Sequence, residues 1–362
     1  MRVLLALGLS AGGVGRHVHG LAAGLVAGGH EVVVAAPSSA EETFGFASTG
    51  ARTETVEVAD RPDPRLDLRA VRTLRRLARG VDVVHAHGLR AGSLACLATT
   101  GVAAPVVVTL HNAAPTARLT RGIYAVLERV VARRAALVLG VSADLVCRMQ
   151  QLGAARTGPA VVAAPPPPAV GRTADQVRSA LGAETGTRLV VSVGRLAVQK
   201  DFDTLLDAVA LARRAGTSGF VCVIAGDGPL GPHLRERIAA EGLPVRLLGR
   251  RDDVPDLLAA ADVVVSSALW EGQPVWLQEA LLVGAPLVVT DAGGTAATIH
   301  GAGIVVPVGD AAALADGIRT VLGDPAESRR LRGLSRAAAG TLPTESDAVA
   351  AALAAYGSVL GH

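Results

Sequence analysis

Short uninterrupted apolar runs recur along this chain and alternate with stretches of helical period. In the first half the runs fall at residues 3–7, 31–35, 55–58, 81–85, 106–110, 137–141 and 161–163. They are too short for buried helices, so they read as parallel strands covered on both faces. Helical patterns at 16–27, 66–79 and 124–134 lie between them. Four consecutive prolines follow at 165–168, which neither a helix nor a central strand accepts. The pattern then restarts, with strands expected at 189–193, 220–225, 245–248, 262–266 and 286–290 and helices at 203–214, 233–240, 254–260 and 274–283. Repeated strand–helix units with right-handed crossovers imply an α/β fold of two Rossmann-like domains, 1–167 and 168–343. They would face a central cleft, with a final helix in 344–362 packing back on the first domain.

Composition narrows the picture. Half of the 362 residues are hydrophobic but only 2% are aromatic, so the core must come from Ala, Val and Leu. A net charge of +3 without a basic block or aromatic recognition motif argues against a nucleic-acid partner. Cys96, Cys147 and Cys222 are far apart and form no Cys-x-x-Cys pair, which fits a reduced, cytoplasmic setting. The apolar N-terminus lacks a basic leader and runs into a glycine loop, so it reads as a first strand.

Candidate chemistry sits where strands end. Gly12-Gly13-Val14-Gly15 precedes a helix and offers backbone N–H groups to an anion. It lacks the full dinucleotide fingerprint, and no acid ends the second strand, so a nicotinamide cofactor is disfavoured. In the second half, Gly194-Arg195 and Lys200 follow a strand, a pair of cations suited to a diphosphate or simply to a structural and a surface role. Further on stands Glu271-Gly272-Gln273-Pro274-Val275-Trp276-Leu277-Gln278-Glu279-Ala280. Pro274 suits a helix start, whose free amides lie around Gln273–Trp276. Glu279 falls in an apolar helix, where a carboxylate needs a partner: a ribose diol or a buried arginine.

Taken in order, these motifs resemble the large family 4 of retaining glycosyltransferases with the GT-B fold. Ala225-Gly226-Asp227-Gly228-Pro229, the His85-Ala86-His87-Gly88 and Thr109-Leu110-His111 strand ends, and Asp291-Ala292-Gly293-Gly294 complete the likeness over nearly the whole chain. The resemblance implies a first domain on the acceptor side and a second that binds a nucleotide-diphosphate sugar. It implies that Arg195 and Lys200 hold the diphosphate, Glu279 the ribose, and Glu271 the transferring sugar. The amides of Val275 and Trp276 would meet sugar and phosphate, Gly13 and Gly15 would close from the first domain, and the base would lie near Arg251. It implies no metal or other cofactor. One departure is Ala297, where the family often carries a glutamate.

His111 is expected to contact the sugar or the acceptor, and His85 to pack behind it. A metal triad of His85, His87 and His111 is the lesser reading, with no fourth ligand nearby in sequence. Loops 38–49 and 113–121 are expected to meet an acceptor, whether a lipid, a saccharide or a small metabolite. Most of Arg69, Arg72, Arg75, Arg76 and Arg79 fall on one helical face, opposite Leu68, Val71, Leu74 and Leu77 or Ala78. That face is either solvated or a peripheral contact with anionic lipid. Rival readings are a sugar-nucleotide epimerase or phosphorylase on the same architecture, or a non-catalytic nucleotide-sugar binder.

Overall fold

The computed structural model describes residues 1–8, 12–59, 63–112, 118–164, 166, 169–184 and 186–361. Outside them lie Ser10 and Ala11 before the glycine loop, residues 113–117 of the expected acceptor loop, and Pro165, Pro167 and Pro168 of the proline connector.

The chain divides into two compact units, Met1–Ala163 with Pro343–His362, and Ala164–Leu342. The first holds strands β1 (Arg2–Leu7), β2 (Glu31–Ala36), β3 (Arg52–Thr55), β4 (Val83–His87), β5 (Val106–Leu110), β6 (Leu137–Gly140) and β7 (Thr157–Pro159). Its helices are α1 (Gly13–Ala27), α2 (Ser38–Phe44), α3 (Pro64–Ala78), α4 (Leu89–Ala98), α5 (Arg118–Arg134) and α6 (Ala143–Gln151). The second holds β8 (Arg188–Val193), β9 (Phe220–Ala225), β10 (Val245–Gly249), β11 (Val263–Ser266), β12 (Leu287–Thr290) and β13 (Ile304–Val306). Its helices are α7 (Ala174–Ala180), α8 (Phe202–Arg214), α9 (Gly231–Glu241), α10 (Val254–Ala260), α11 (Val275–Leu282), α12 (Thr295–Thr298), α13 (Ala311–Gly323) and α14 (Pro325–Ala339). The final helix α15 (Glu345–Leu360) belongs to the first unit.

Every paired strand is parallel, in the orders β3-β2-β1-β4-β5-β6-β7 and β10-β9-β8-β11-β12-β13. Both faces of each sheet are covered, which explains why the strands read as continuous apolar runs. In β8, Val190 packs with Leu205, Leu206 and Ile318 on one face. Leu189 and Val191 pack with Leu257, Leu277 and Ala338 on the other. In β1, Val3, Leu5 and Leu7 join Val18, Leu21 and Leu25 of α1 with Ala352 and Tyr356 of α15. At about 1.5–3 kcal/mol per fully buried Val or Leu side chain, these layers set the strand positions more firmly than any local propensity.

The edges depart from the sequence pattern. The expected strand at 55–58 lies instead at Arg52–Thr55, and that at 161–163 at Thr157–Pro159; β13 had no counterpart. Val56, Val58 and Val162 are buried, but lie outside the strands themselves. The stretch 38–49 is not an open loop: it folds as α2 and a 3₁₀ turn over Phe46–Thr49.

Helix α3 starts at Pro64, with the Asp63 carboxylate accepting from the amides of Arg65 and Leu66. Its buried face is Ala70, Leu74, Leu77 and Ala78. Leu68 is not on that face: it is 51% exposed, among the arginines. Two of the five arginines are committed. Arg75 donates to the carbonyls of Ala98 (3.0 Å) and Thr100 (2.6 Å), the carbonyls left over at the end of α4. Arg76 pairs with Glu54. Arg69, Arg72 and Arg79 are exposed.

Candidate active site

Strand order reverses between β1 and β4 in the first sheet and between β8 and β11 in the second. Open parallel sheets bind ligands just beyond the carboxyl ends of strands at such a point.

In the second unit the loops after β8 and β11 meet there. Lys200 and Glu271 form an ion pair, with side chains 16% and 8% exposed. The backbone fixes both. The amide of Leu269 donates to the Gln199 carbonyl (2.9 Å), and the Gln199 side chain donates to the Trp270 carbonyl (2.8 Å). The Ser267 hydroxyl donates to the carbonyl of Lys200 itself (2.9 Å). Arg195 is exposed in the same loop, and its side chain has no partner among the described residues.

Two glycines make this meeting possible. Gly226 has φ 146°, and a Cβ there would lie 1.9 Å from the Gly194 carbonyl oxygen. Gly293 has φ 56°, and a Cβ would lie 2.2 Å from the Glu271 carbonyl oxygen, which accepts from the Gly294 amide at 2.9 Å. The glycine turns after β9 and β12 therefore press directly against the loops that carry Gly194 and Glu271. Any side chain at either glycine would push those loops away.

Helix α11 opens at Val275 with Pro274 as its cap residue, and no side chain caps it. Its first amides are thus not taken up by a side-chain cap. Gly272 and Pro274 are buried, while Gln273, Val275 and Trp276 are half-buried. Trp276 packs against the core, and its indole N–H is buried without a partner among the described residues. Glu279 is half-buried one turn further on. Arg251 differs from the expected picture. Its guanidinium forks onto Asp253 at 2.7 and 2.6 Å, and Asp253 also pairs with Arg172. The side chain is thereby committed within its own loop.

The first unit supplies a separate cluster. His85, His87 and His111 lie at the ends of β4 and β5, all at most 8% exposed. Nδ1 of His85 bonds the Tyr356 hydroxyl and Nε2 the Thr109 hydroxyl, each at 2.8 Å. Nδ1 of His87 bonds Nε2 of His111 at 3.2 Å. His17 of α1 stands edge-on to both, 5.5 and 5.7 Å away. Burial drives every one of these imidazoles toward the neutral form: His17 down to about 4, His85 down to about 3, and His87 and His111 well below the usual range. Neighbouring histidines add to the effect at His85, His87 and His111. His85 thus spends both ring nitrogens on hydroxyls, and His87 and His111 spend one nitrogen each on one another. Among the described residues no group of three His, Cys, Asp or Glu is arranged to hold a metal ion. Neither His17 nor Tyr356 was singled out from sequence. Only Tyr356 had a local signal, as a lone aromatic in an alanine-rich helix.

Gly15 is buried, and a Cβ there would lie 2.1 Å from the Phe44 ring of α2. Its need for glycine is therefore met by that ring. Gly12, with φ 99°, leads into α1 at Gly13.

The Glycosyl transferase 4-like domain model matches residues 12–166, and the Glycosyl transferases group 1 model matches 187–324. The chain is 33% identical over 276 residues to the 2-deoxystreptamine N-acetyl-D-glucosaminyltransferase of Streptomyces fradiae, covering 68% of this chain and 64% of that protein. It thus spans just under two thirds of that relative. It is 29% identical over 328 residues to the alpha-D-kanosaminyltransferase of Streptomyces kanamyceticus, covering 83% and 80%. Among solved structures it is similar to Anabaena HepE in complex with UDP-glucose, with a TM-score of 0.83 at 20% identity over 99% of this chain and all of that one.

Proposed function

This chain belongs to the GT-B glycosyltransferases of the family 4 type, and on that premise we propose that it transfers a hexosyl-type sugar from a nucleotide-diphosphate donor to an acceptor hydroxyl with retention. The observation that carries the reading is the shielded Lys200–Glu271 pair at the sheet's switch point, beside exposed Arg195. A diphosphate entering there takes over Lys200, and Arg195 joins it. Glu271, released from its counter-ion, accepts from hydroxyls of the transferring sugar. Glu279 takes the ribose diol. With the Arg251 side chain committed to Asp253, the base rests on backbone groups. The likeness to HepE, whose structure holds UDP-glucose, supports a nucleotide-sugar donor.

In the transfer step the acceptor oxygen bonds to the anomeric carbon on the face from which the diphosphate departs. The bond from that carbon to the phosphate oxygen breaks, and the acceptor proton passes to the departing phosphate oxygen. Arg195, Lys200 and the α11 amides stabilise the negative charge that grows there. No metal is assigned to this step, so a chelator should not slow it.

Thermal-shift measurements with a panel of nucleotide sugars, followed by product mass spectrometry with the best donor, test the reading. A glycosylated acceptor and free nucleoside diphosphate are expected. An isomerised donor without acceptor, or sugar phosphate formed only with inorganic phosphate, would replace it with the epimerase or phosphorylase reading. Binding without any turnover would leave a nucleotide-sugar binder.

The acceptor's source has one further lead. Leu68 stands exposed among Arg69, Arg72 and Arg79 on α3, an apolar residue within a cationic face. This pattern suits a lipid surface carrying the acceptor. No helix among the described residues is long and apolar enough to cross a membrane, so the contact would be peripheral. Co-sedimentation with anionic vesicles should fall with salt and be lost when Arg69, Arg72 and Arg79 become serine. Unchanged binding would make the face merely solvated.

A further inference from the structure

Parallel pairing sets His87 beside Thr109 and His85 beside Val107. Side chains two residues apart share a sheet face, so His85, His87, Thr109 and His111 all project to the same side. The rings form a row. His85 and His87 have centroids 4.2 Å apart, and His87 stacks on His111 at 5.5 Å.

The members of the row differ in how they are satisfied. His85 uses both nitrogens, on Tyr356 and Thr109. His87 uses only Nδ1, on His111. Its Nε2 is buried and has no partner among the described residues. A buried polar atom left unpaired costs stability without return. A histidine kept only to fill space would be bettered there by an apolar side chain, and departures of this kind collect at functional positions.

We propose that His87 is a positioning residue for His111: its Nδ1 bond holds the His111 ring in one orientation, while His87 itself touches no substrate. The inference rests on the reading of His111 as a substrate contact. Burial keeps both imidazoles neutral, so the bond between them needs one N–H and one lone pair. It commits Nε2 of His111 and leaves Nδ1 to face substrate. His85, locked from both sides by Tyr356 and Thr109, is the fixed ring against which His87 stacks.

The test is a set of substitutions compared by kcat, KM and melting temperature, using the donor and acceptor found as above. His87→Asn keeps a polar atom near the Nδ1 position. His87→Gln carries its amide one bond further and loses that atom, and His87→Leu removes both nitrogens. Asn should retain near-native kcat. Gln and Leu should lower kcat on the order of ten- to a hundredfold, the size of effect known for losing the partner that orients a metal-ligating histidine. KM should change little, and the melting temperature of the leucine variant should also change little, because the unpaired His87 Nε2 goes while Nε2 of His111 loses its partner. In a His111→Ala background, which is itself impaired, His87→Gln should have no further effect. Near-native kcat in both His87→Gln and His87→Leu, with His111→Ala inactive, overturns the positioning role and leaves the His111 reading intact. Loss of activity in step with melting temperature across all three His87 variants also overturns it. A fully active His111→Ala would remove the reading on which it rests.

Discussion

Lys200→Ala is expected to lower kcat on the order of 10²- to 10³-fold, and Arg195→Ala to act in the same direction. Both cations would meet the group whose charge grows as the glycosidic bond breaks. Contacts stronger in the transition state than in the ground state appear in kcat as well as in kcat/KM. The structure adds a complication that steady-state kinetics alone would miss. Lys200 is also the counter-ion of Glu271, whose side chain is 8% exposed. Removing one partner of a buried pair typically costs about 3–5 kcal/mol, so Lys200→Ala should also destabilise the second unit. Lys200→Ala combined with Glu271→Gln removes both charges; it should regain much of the stability and none of the turnover. Glu271→Gln alone separates the roles further. With no carboxylate competing for Lys200, free nucleoside diphosphate should bind a few-fold more tightly, while kcat falls through the lost sugar contact. Calorimetric titration beside kinetics checks this. Near-native kcat in a folded Lys200→Ala protein would refute the diphosphate assignment. Unchanged nucleotide affinity in Glu271→Gln would show that the resting pair does not compete with the donor.

Acid should unfold the first unit well before the second. Burial holds His17 down to about 4, His85 down to about 3, and His87 and His111 well below their ordinary value of 6.5. The unfolded chain binds protons on these groups below pH 6.5, and the folded unit does not. Their contribution is therefore full above pH 6.5 and is lost as pH falls toward the folded values near 4 and 3. Between pH 7 and pH 5 a group such as His85, held down to about 3, subtracts about 2 kcal/mol, and His87 and His111 act in the same direction. The chain carries its own reporters. Both tyrosines, Tyr124 and Tyr356, lie in the first unit, and both tryptophans, Trp270 and Trp276, in the second. In urea at pH 7 and pH 5, the transition seen by near-ultraviolet tyrosine signals should shift sharply, and that seen by tryptophan fluorescence much less. His17→Gln should make the tyrosine transition less steep in pH. Equal shifts for both reporters would argue against the cluster as the acid-labile element.

The apolar runs of the interior strands determined most of the architecture without help. A strand covered on both faces must be apolar at nearly every position, so β1, β5, β8, β9 and β12 stand out in the sequence. Pro274 marked the start of α11 to within one residue for a similarly local reason. The strands that the pattern misplaced or missed, β3, β7 and β13, are all edge strands. An edge strand has one neighbour and less cover; β3 is Arg-Thr-Glu-Thr, with no apolar signal at all. Leu68 was misassigned because periodicity sorts residues by angle, and the neighbouring helix decides how wide the covered face is.

The site divides along the same line. Residue types and their order along the chain were legible: two cations after one strand, two carboxylates flanking a helix start, histidines at adjacent strand ends. Which of them meet was decided by topology. Lys200 and Glu271 are 71 residues apart and pair because β8 and β11 are neighbours at the switch point. His85 and Tyr356 are 271 apart and pair because the last helix returns to the first sheet. Gly226 must be glycine because the Gly194 carbonyl lies where its Cβ would be. Side-chain chemistry and burial preference are properties of the local sequence. Partnership and close approach are properties of the packed chain, and these are what turn scattered charges into a site.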